Sequence, residues 1–106
     1  MAKVLQHQIT LSASGNTTLS AVRLAEGLNS TLARSVGEGN EWHWTNIGTG
    51  TVVVTPYFNG VTTHGGYTVP ANDSLIIDLA GMNDWKIEET GGAVGAIVTV
   101  VGFNKE

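Results

Sequence analysis

The stretch AVGAIVTVVGF at residues 93–103 decides the fold class. It is rich in Val, with Ile and Thr beside it, and these residues suit a pleated β-strand. Because successive side chains of a strand lie on opposite faces, the two faces can be counted separately. One face carries Val94, Ala96, Val98 and Val100, and the other carries Ile97, Val101 and Phe103, interrupted by Gly95 and Thr99. Both faces of this predicted strand are therefore apolar.

A strand that is apolar on both faces needs cover on its second face. In a two-layer antiparallel fold one face packs on the core and the other meets water. Exposing several Val and Ile side chains would forfeit several kcal/mol from a total stability of about 5–15 kcal/mol. Cover from residues 17–36 of the same chain stays open, but we favour another subunit or partner. The interface candidates are Val94, Val98, Val100, Ile97, Val101 and Phe103.

Working outward, short apolar stretches recur along the chain between Gly, Asn and Pro residues. The candidate strands are residues 4–11, 41–47, 51–55, 74–79 and 85–88. Strands at this spacing are typical of sandwiches and barrels, so we expect an all-β fold, an antiparallel β-sandwich of jelly-roll-like type. Residues 46–50 predict a tight turn in which Asn and Gly accept left-handed backbone angles. Pro56 is expected to end its strand or to lie at an edge.

Residues 17–36 allow two interpretations. Leu19, Val22, Leu28 and Leu32 can share one face of a short helix, but Gly27 in its middle would cost about 1 kcal/mol. The alternative is two strands, residues 18–25 and 31–36, around a turn, and we favour it. In either case we expect a single domain over residues 1–106, with residues 1–16 as an N-terminal strand or arm.

Composition excludes several classes of partner and chemistry. The 106 residues are 42% hydrophobic and only 13% charged, with a net charge of −4. Nucleic acid and anionic membranes need clustered positive charge, so neither is expected as a partner. There is no cysteine, and hence no disulfide framework or thiolate site. No apolar run reaches the length of a membrane span, and the N-terminus lacks the apolar stretch of a signal peptide.

Residues that could carry chemistry are scattered. His7, His43 and His64 lack the spacing of a metal site. Asp73, Asp78, Asp84 and the pair Glu88–Glu89 lie near predicted loops, where they indicate solubilising charge. Neither a phosphate-binding glycine loop nor a nucleophile motif is present. We therefore expect a protein that is not an enzyme, with no catalytic residues, no metal and no cofactor.

The aromatic residues allow a core or a binding platform. Trp42 and Trp44 share one face of a predicted strand, which is the geometry of a sandwich core and equally of a stacking strip for sugar rings. We favour the core, with Trp42, Trp44, Trp85 and Ile77 as its anchors. The platform would require Trp42 and Trp44 to be exposed.

Four segments of the chain resemble small virion structural proteins of tailed bacteriophages. These are residues 44–54 with Asn46-Ile47-Gly48-Thr49 before a Val-rich strand, residues 67–78 with Pro70-Ala71-Asn72-Asp73-Ser74 before an apolar strand, residues 85–87 with Trp85, and residues 95–100. The proteins that the chain resembles are capsid cement, or decoration, proteins with a β-sandwich or jelly-roll fold. The resemblance implies no catalytic residue.

The resemblance implies a role in assembly. A protein of this kind would be a homo-oligomer, by resemblance a trimer, that binds the major capsid protein and stabilises the shell by bridging capsid subunits. It would be made in the host cytoplasm without a signal peptide and then located in the virion. The alternative function is a small carbohydrate-binding or adhesin β-sandwich module.

Overall fold

A computed structural model describes residues 2–19, 39–58, 60–62, 64–82, 84–92 and 94–105 of the chain. These residues form eight strands: β1 (Ala2–Leu11), β2 (Asn16–Thr18), β3 (Glu41–Asn46), β4 (Val52–Tyr57), β5 (Tyr67–Val69), β6 (Asp73–Asp78), β7 (Asp84–Glu89) and β8 (Ala96–Asn104). The choice between a helix and strands for residues 17–36 falls largely on residues 20–38, outside the described part. Among the described residues of this segment, Thr17 and Thr18 belong to β2.

The strands form two antiparallel four-stranded sheets. The first sheet has the order β1-β8-β3-β6 and the second has the order β2-β7-β4-β5. This wrapping of eight strands into two facing sheets is the jelly roll, so the predicted all-β antiparallel sandwich is confirmed. The stretch at residues 93–103 supplies β8, which lies between β1 and β3 in the centre of the first sheet.

The core lies between the two sheets and follows the alternation of the strands. Three tryptophans fill its centre, with Trp85 of β7 packed between Trp42 and Trp44 of β3 at ring-centroid distances of 5.4 and 5.3 Å. The four predicted anchors, Trp42, Trp44, Trp85 and Ile77, are all buried here. The even-numbered residues of β8 complete it from the first sheet: Ala96, Val98 and Val100.

One of two local expectations is confirmed in its second alternative, and the other is wrong. Pro56 does not end β4 but lies at an edge within it, paired with Trp85 of β7 on one side. The pairing of β4 with β5 stops at Val54, so Pro56 lies where that side of the strand has no described partner. At residues 46–50 no backbone angle is left-handed. Gly48 is required instead by space, because a Cβ there would come within 2.5 Å of the Ile97 nitrogen.

Candidate functional site

The outer face of the first sheet is arranged in rows across its strands. The register places Glu41 between Phe103 and Asp78, and His43 between Val101 and Ile76. A row of hydroxyl side chains follows, Thr99, Thr45 and Ser74. Beyond it Ile97 pairs with Thr10 and accepts a hydrogen bond of 2.9 Å from the Ile47 amide. The hydroxyl row thus divides two apolar areas.

The first of these areas, which we call the outer patch, consists of Ile76, Val101 and Phe103 around His43. Ile76 is 59% exposed, and Val101 and Phe103 are half-buried. The His43 ring contacts Phe103 edge-on at 4.8 Å. The patch brings together three strands whose residues lie far apart in sequence.

A charged cluster borders the outer patch at the end of the sheet. Lys105 Nζ lies 2.8 Å from Asp78 and 3.6 Å from Glu41, and Glu41 lies 3.1 Å from His43 Nε2. The hydrogen bond and charge of Lys105 lower the pKa of Asp78, and the same bond raises the pKa of Lys105. Asn40 fixes the chain there by bonding the Lys105 amide and carbonyl at 2.7 and 2.9 Å.

Some of the predicted interface residues lie in the core, and the others lie at the surface. Val98 and Val100 are fully buried in the chain's own core, so they are not available to a partner. Val94 precedes β8 and lies in the loop after β7, 41% exposed. Ile97, Val101 and Phe103 lie on the outer face and are half-buried. Only these last four residues remain candidates for an interface.

The outer face of the second sheet has a different composition. Its central strand β7 directs Asp84, Lys86 and Glu88 outward, and Lys86 and Glu88 approach to 3.8 Å. Neighbouring strands add Thr18, Thr55 and Thr68, and Val53 is the aliphatic side chain among these described neighbours. Such a face is stable in water without cover.

The tryptophan platform is not on the surface. Trp42, Trp44 and Trp85 are fully buried, so they cannot form the exposed strip that stacking on sugar rings requires. The Trp42 indole donates to the Leu79 carbonyl at 3.0 Å, whereas the buried Nε1 atoms of Trp44 and Trp85 have no hydrogen-bond partner among the described residues. The three rings serve the core.

Glu89 is buried, and the expectation of a solubilising charge at this position is wrong. Its carboxylate accepts hydrogen bonds from the amides of Ser14 at 2.8 Å, Gly91 at 2.5 Å and Gly92 at 3.1 Å. These hydrogen bonds lower the pKa of Glu89, and the bond from Ser14 has the largest effect. Together they outweigh burial, which would raise the pKa. Glu89 thereby ties the β1–β2 turn to the β7–β8 loop.

Asn46 is the second buried polar residue at this end of the sandwich. Its amide donates to the carbonyls of Gly50 at 2.7 Å and Val69 at 3.1 Å, and its Oδ1 accepts from the Gly48 amide at 3.0 Å. Asn46 therefore joins β3 of one sheet to β5 of the other. The sequence pattern assigned Asn46 to a turn. Its burial could have been found from alternation, because Asn46 lies on the same face of the strand as Trp42 and Trp44.

The second apolar area continues into a groove at this same end, which we call the end groove. It has a volume of about 390 Å³ and is lined by Thr10, Leu11, Ile47, Gly48, Gly95 and Ile97 among others. None of its lining residues is charged, and Ile47 is 56% exposed. Two further depressions lie between β1 and β2 and beside Tyr57, Asp84 and Lys86.

The titratable side chains form no recognisable catalytic or metal centre in the described ranges. No group of three or more His, Asp or Glu residues there could hold a metal ion. His43 faces outward, away from the neighbouring tryptophans, His7 is half-buried, and His64 is exposed. In the same ranges no helix is long and apolar enough to cross a membrane.

Comparisons with known proteins bear on the fold. No family model and no curated protein matches the chain. A solved cupin domain of Cnp3 from Schizosaccharomyces pombe is similar, with a TM-score of 0.53 and 9% identity over 94% of this chain and 52% of that chain. The chain thus spans about half the length of the cupin-domain chain. Cupins are jelly rolls, so this likeness agrees with the strand order.

Two more distant structures are also similar. The Yersinia pseudotuberculosis-derived mitogen gives a TM-score of 0.49 and 11% identity over 100% of this chain and 89% of that chain. A chain of the disulfide-linked pili that form Bacillus endospore appendages gives 0.47 and 14% over 100% and 93%.

Proposed function

We propose that this chain is a non-enzymatic structural protein of a virus particle, a cement or decoration subunit of a bacteriophage capsid. The observation that carries the proposal is the outer patch. The central strand β8 of the first sheet directs Val101 and Phe103 outward, and Ile76, on the other side of His43, is 59% exposed. Several apolar side chains grouped on one face with a polar rim are typical of a surface that binds another protein.

We propose the major capsid protein as the occupant of the patch. The rim carries both signs of charge, because Glu41 and Asp78 lie with Lys105 at one end and Lys3 of β1 pairs with Phe103. A capsid surface with an apolar centre and charges that complement this mixed rim would fit it. The subunit would then oppose capsid expansion by burying this patch across neighbouring capsid subunits.

The subunit acts as a homo-oligomer in this proposal, a trimer as the sequence resemblance implies. Several copies held together would contact several capsid subunits at once, and such linked contacts strengthen binding without any new contact type. The carbohydrate-binding alternative loses the residues on which it depended, because Trp42 and Trp44 are buried.

Binding to empty capsids tests the proposal. Wild-type protein should co-sediment with capsids of the encoding virus that lack it, and it should raise their rupture temperature. Ile76→Asp places a carboxylate in the buried contact and should weaken binding more than tenfold. Thr68→Asp, an exposed position on the outer face of the second sheet, is the matched control and should bind as wild type does.

Either of two results would refute the proposal. One is wild-type protein that ignores the capsids at micromolar concentration. The other is binding that Ile76→Asp and Thr68→Asp weaken equally, which would move the contact away from the outer patch. A melting curve for each variant checks that it is folded.

A further inference from the structure

The four edge strands of the two sheets, β1, β6, β2 and β5, differ in their protection against pairing with another chain. An edge strand presents unpaired backbone N–H and C=O groups, which proteins shield with short strands, Lys, Pro or bulges. β2 and β5 are three residues long, and β1 carries Lys3 with a register shift between Lys3 and Leu5. β6 has none of these devices, since its six residues pair with β3 without a shift and include neither Lys nor Pro. We call its outer side, with which no described strand pairs, the free edge.

The backbone groups that point to the free edge follow from the pairing of β6 with β3. The Leu79 amide, just after β6, donates to the Asn40 carbonyl at 3.1 Å, just before β3. Antiparallel pairs alternate between hydrogen-bonded and non-hydrogen-bonded, so every second residue before Leu79 also bonds toward β3. The residues between them, Ser74, Ile76 and Asp78, therefore direct their N–H and C=O groups to the free edge.

The side chains along the free edge are accessible as well. Ile76 is 59% exposed, and Ser74 and Asp78 on either side of it are exposed. Lys105 lies 2.8 Å from Asp78 and offsets the charge of that carboxylate. An exposed Ile in the middle of an unprotected edge is a position where an added strand gains apolar contact together with backbone hydrogen bonds.

A second copy of β6 complements this edge when the two strands run antiparallel about a two-fold axis at Ile76. Ile76 then lies opposite Ile76 of the other copy, and each amide donates to the other carbonyl. The Asp78 amide can donate to the Ser74 carbonyl of the other copy. The Ser74 amide keeps its own hydrogen bond of 2.8 Å to the Asp73 carboxylate. Every amide at the free edge thereby has an acceptor.

The side chains of β6 favour a second copy of this chain as the occupant of the free edge. In the two-fold register the outer faces of both copies lie on the same side, so each residue meets a residue of its own face. The opposite pairs are Ile76 with Ile76, Leu75 with Ile77, Ser74 with Asp78, and Asp73 with Leu79. Apolar residues thus meet apolar ones at the centre, and neither aspartate lies opposite a carboxylate, which a chain of net charge −4 must avoid. The matching strand is supplied by β6 itself.

We infer that two copies of this chain pair through β6 and join their first sheets into one continuous eight-stranded sheet. The contact closes after two copies, because a two-fold axis uses the same surface on both partners. The two outer patches lie on one face of the joined sheet, with Ile76 of each copy at the seam. This inference goes beyond the proposed function, and the trimer that the resemblance implies would need a different contact.

Single cysteine variants test the register, because the chain has no cysteine of its own. The Cα atoms of a hydrogen-bonded antiparallel pair lie about 5.5 Å apart, within the reach of a disulfide. Mild oxidation of Ile76→Cys should therefore give a linked pair at twice 11.1 kDa on non-reducing electrophoresis. Ser74→Cys is the matched control on the same strand and face. Its two cysteines would lie about 13 Å apart along the strands and should not link.

A mixture of two cysteine variants sharpens this test. Ser74→Cys and Asp78→Cys lie opposite each other in the two-fold register, so their mixture should link although Ser74→Cys alone does not. Failure of Ile76→Cys to link overturns the inference. Equal linking of Ile76→Cys and Ser74→Cys indicates random collision and overturns it as well.

A proline variant tests whether the backbone of the free edge carries the contact. Ile76→Pro removes the amide that points to the free edge and keeps the amides that bond to β3, so the variant is expected to fold. Ile76→Thr is the control, since it keeps this amide and a β-branched side chain. Light scattering at rising concentration should bring wild-type protein and Ile76→Thr toward twice 11.1 kDa and leave Ile76→Pro at 11.1 kDa. Fluorescence of the buried tryptophans checks folding.

The outcomes separate this inference from the proposed function. A wild-type mass that stays at 11.1 kDa or reaches three times that value overturns the pairing, as does a folded Ile76→Pro that pairs. Capsid binding by a wild-type monomer would leave the outer patch in place. Conversely, a wild-type pair that ignores capsids refutes the proposed function and supports the pairing through β6.

Discussion

The outer faces of the two sheets differ although both sheets pack on the same core. The central strand of the first sheet, β8, directs Ile97, Val101 and Phe103 outward, whereas β7 of the second sheet directs Asp84, Lys86 and Glu88 outward. Each strand alternates between core and surface with the same period. The difference therefore lies in what the surface positions meet: water on the second sheet, and, as we propose, protein on the first.

The comparison also shows what the core does not decide. Three tryptophans from both sheets pack together, so the two sheets share one core. An apolar outer face adds little to the stability of the single chain, because Ile76 remains largely exposed. Residues on the outer patch should thus matter for assembly, and residues of the core should matter for folding.

The largest expected effect comes from the shared core. Trp85→Ala removes the ring that contacts both Trp42 and Trp44, and it should destabilise the chain by about 3–5 kcal/mol. Phe103→Ala, a truncation on the outer face, should cost clearly less because that ring is half-exposed. Urea denaturation measures both. Equal losses would contradict the separation of core from outer face.

A smaller effect is expected where one side chain joins the two sheets. Asn46→Ala leaves the Gly48 amide and the carbonyls of Gly50 and Val69 without their buried partner. We expect a loss of about 2–3 kcal/mol. Thr45→Ala, the exposed neighbour on the outer face, should change stability by less than about 0.5 kcal/mol. A neutral Asn46→Ala would mean that the sheets need no polar link.

The smallest of the three effects is a dependence on pH. Hydrogen bonds lower the folded pKa of Glu89 below its ordinary value of 4.5, so their contribution is complete above that pH. As pH falls below 4.5 and through the folded pKa, the contribution is lost. Below about pH 5, in the range where carboxylates titrate, the melting temperature of Glu89→Gln should therefore fall less steeply than that of the wild type.

Glu88→Gln provides the matched control for this pH dependence. Glu88 is the preceding residue and lies on the outer face of the second sheet, so its replacement should leave the acid profile of the wild type. If both variants gave the wild-type profile, the acid dependence would not come from Glu89.

Much of the fold followed from local pattern. Alternation in the stretch at residues 93–103 separated Val98 and Val100 from Val101 and Phe103, and the structure places the first pair in the core and the second outside it. The same rule located Trp42, Trp44 and Trp85. Because both faces of this stretch are apolar, alternation could not say which face packs on the core, and so it could not separate the buried Val98 from a subunit contact.

Polar residues were harder to interpret than apolar ones. Glu89 was expected in solvent because a carboxylate before a glycine pair is typical of an exposed turn. Three backbone amides, two from the loop that follows it and one from Ser14, bind its carboxylate and make burial possible. The Ser14 amide belongs to a turn 75 positions away, and no local pattern indicates that it lies there.

The sequence by itself indicated six of the eight described strands and the tryptophans that fill the core, because alternation is a local property with a period of two residues. Only the tertiary structure decided which outward residues become neighbours. Ile76 and Val101 flank His43 from opposite sides, and the end groove combines Thr10, Ile47 and Ile97, because the jelly-roll order places strands side by side that are distant in the chain. Strand order depends on long-range pairing, and the surfaces of this protein depend on strand order.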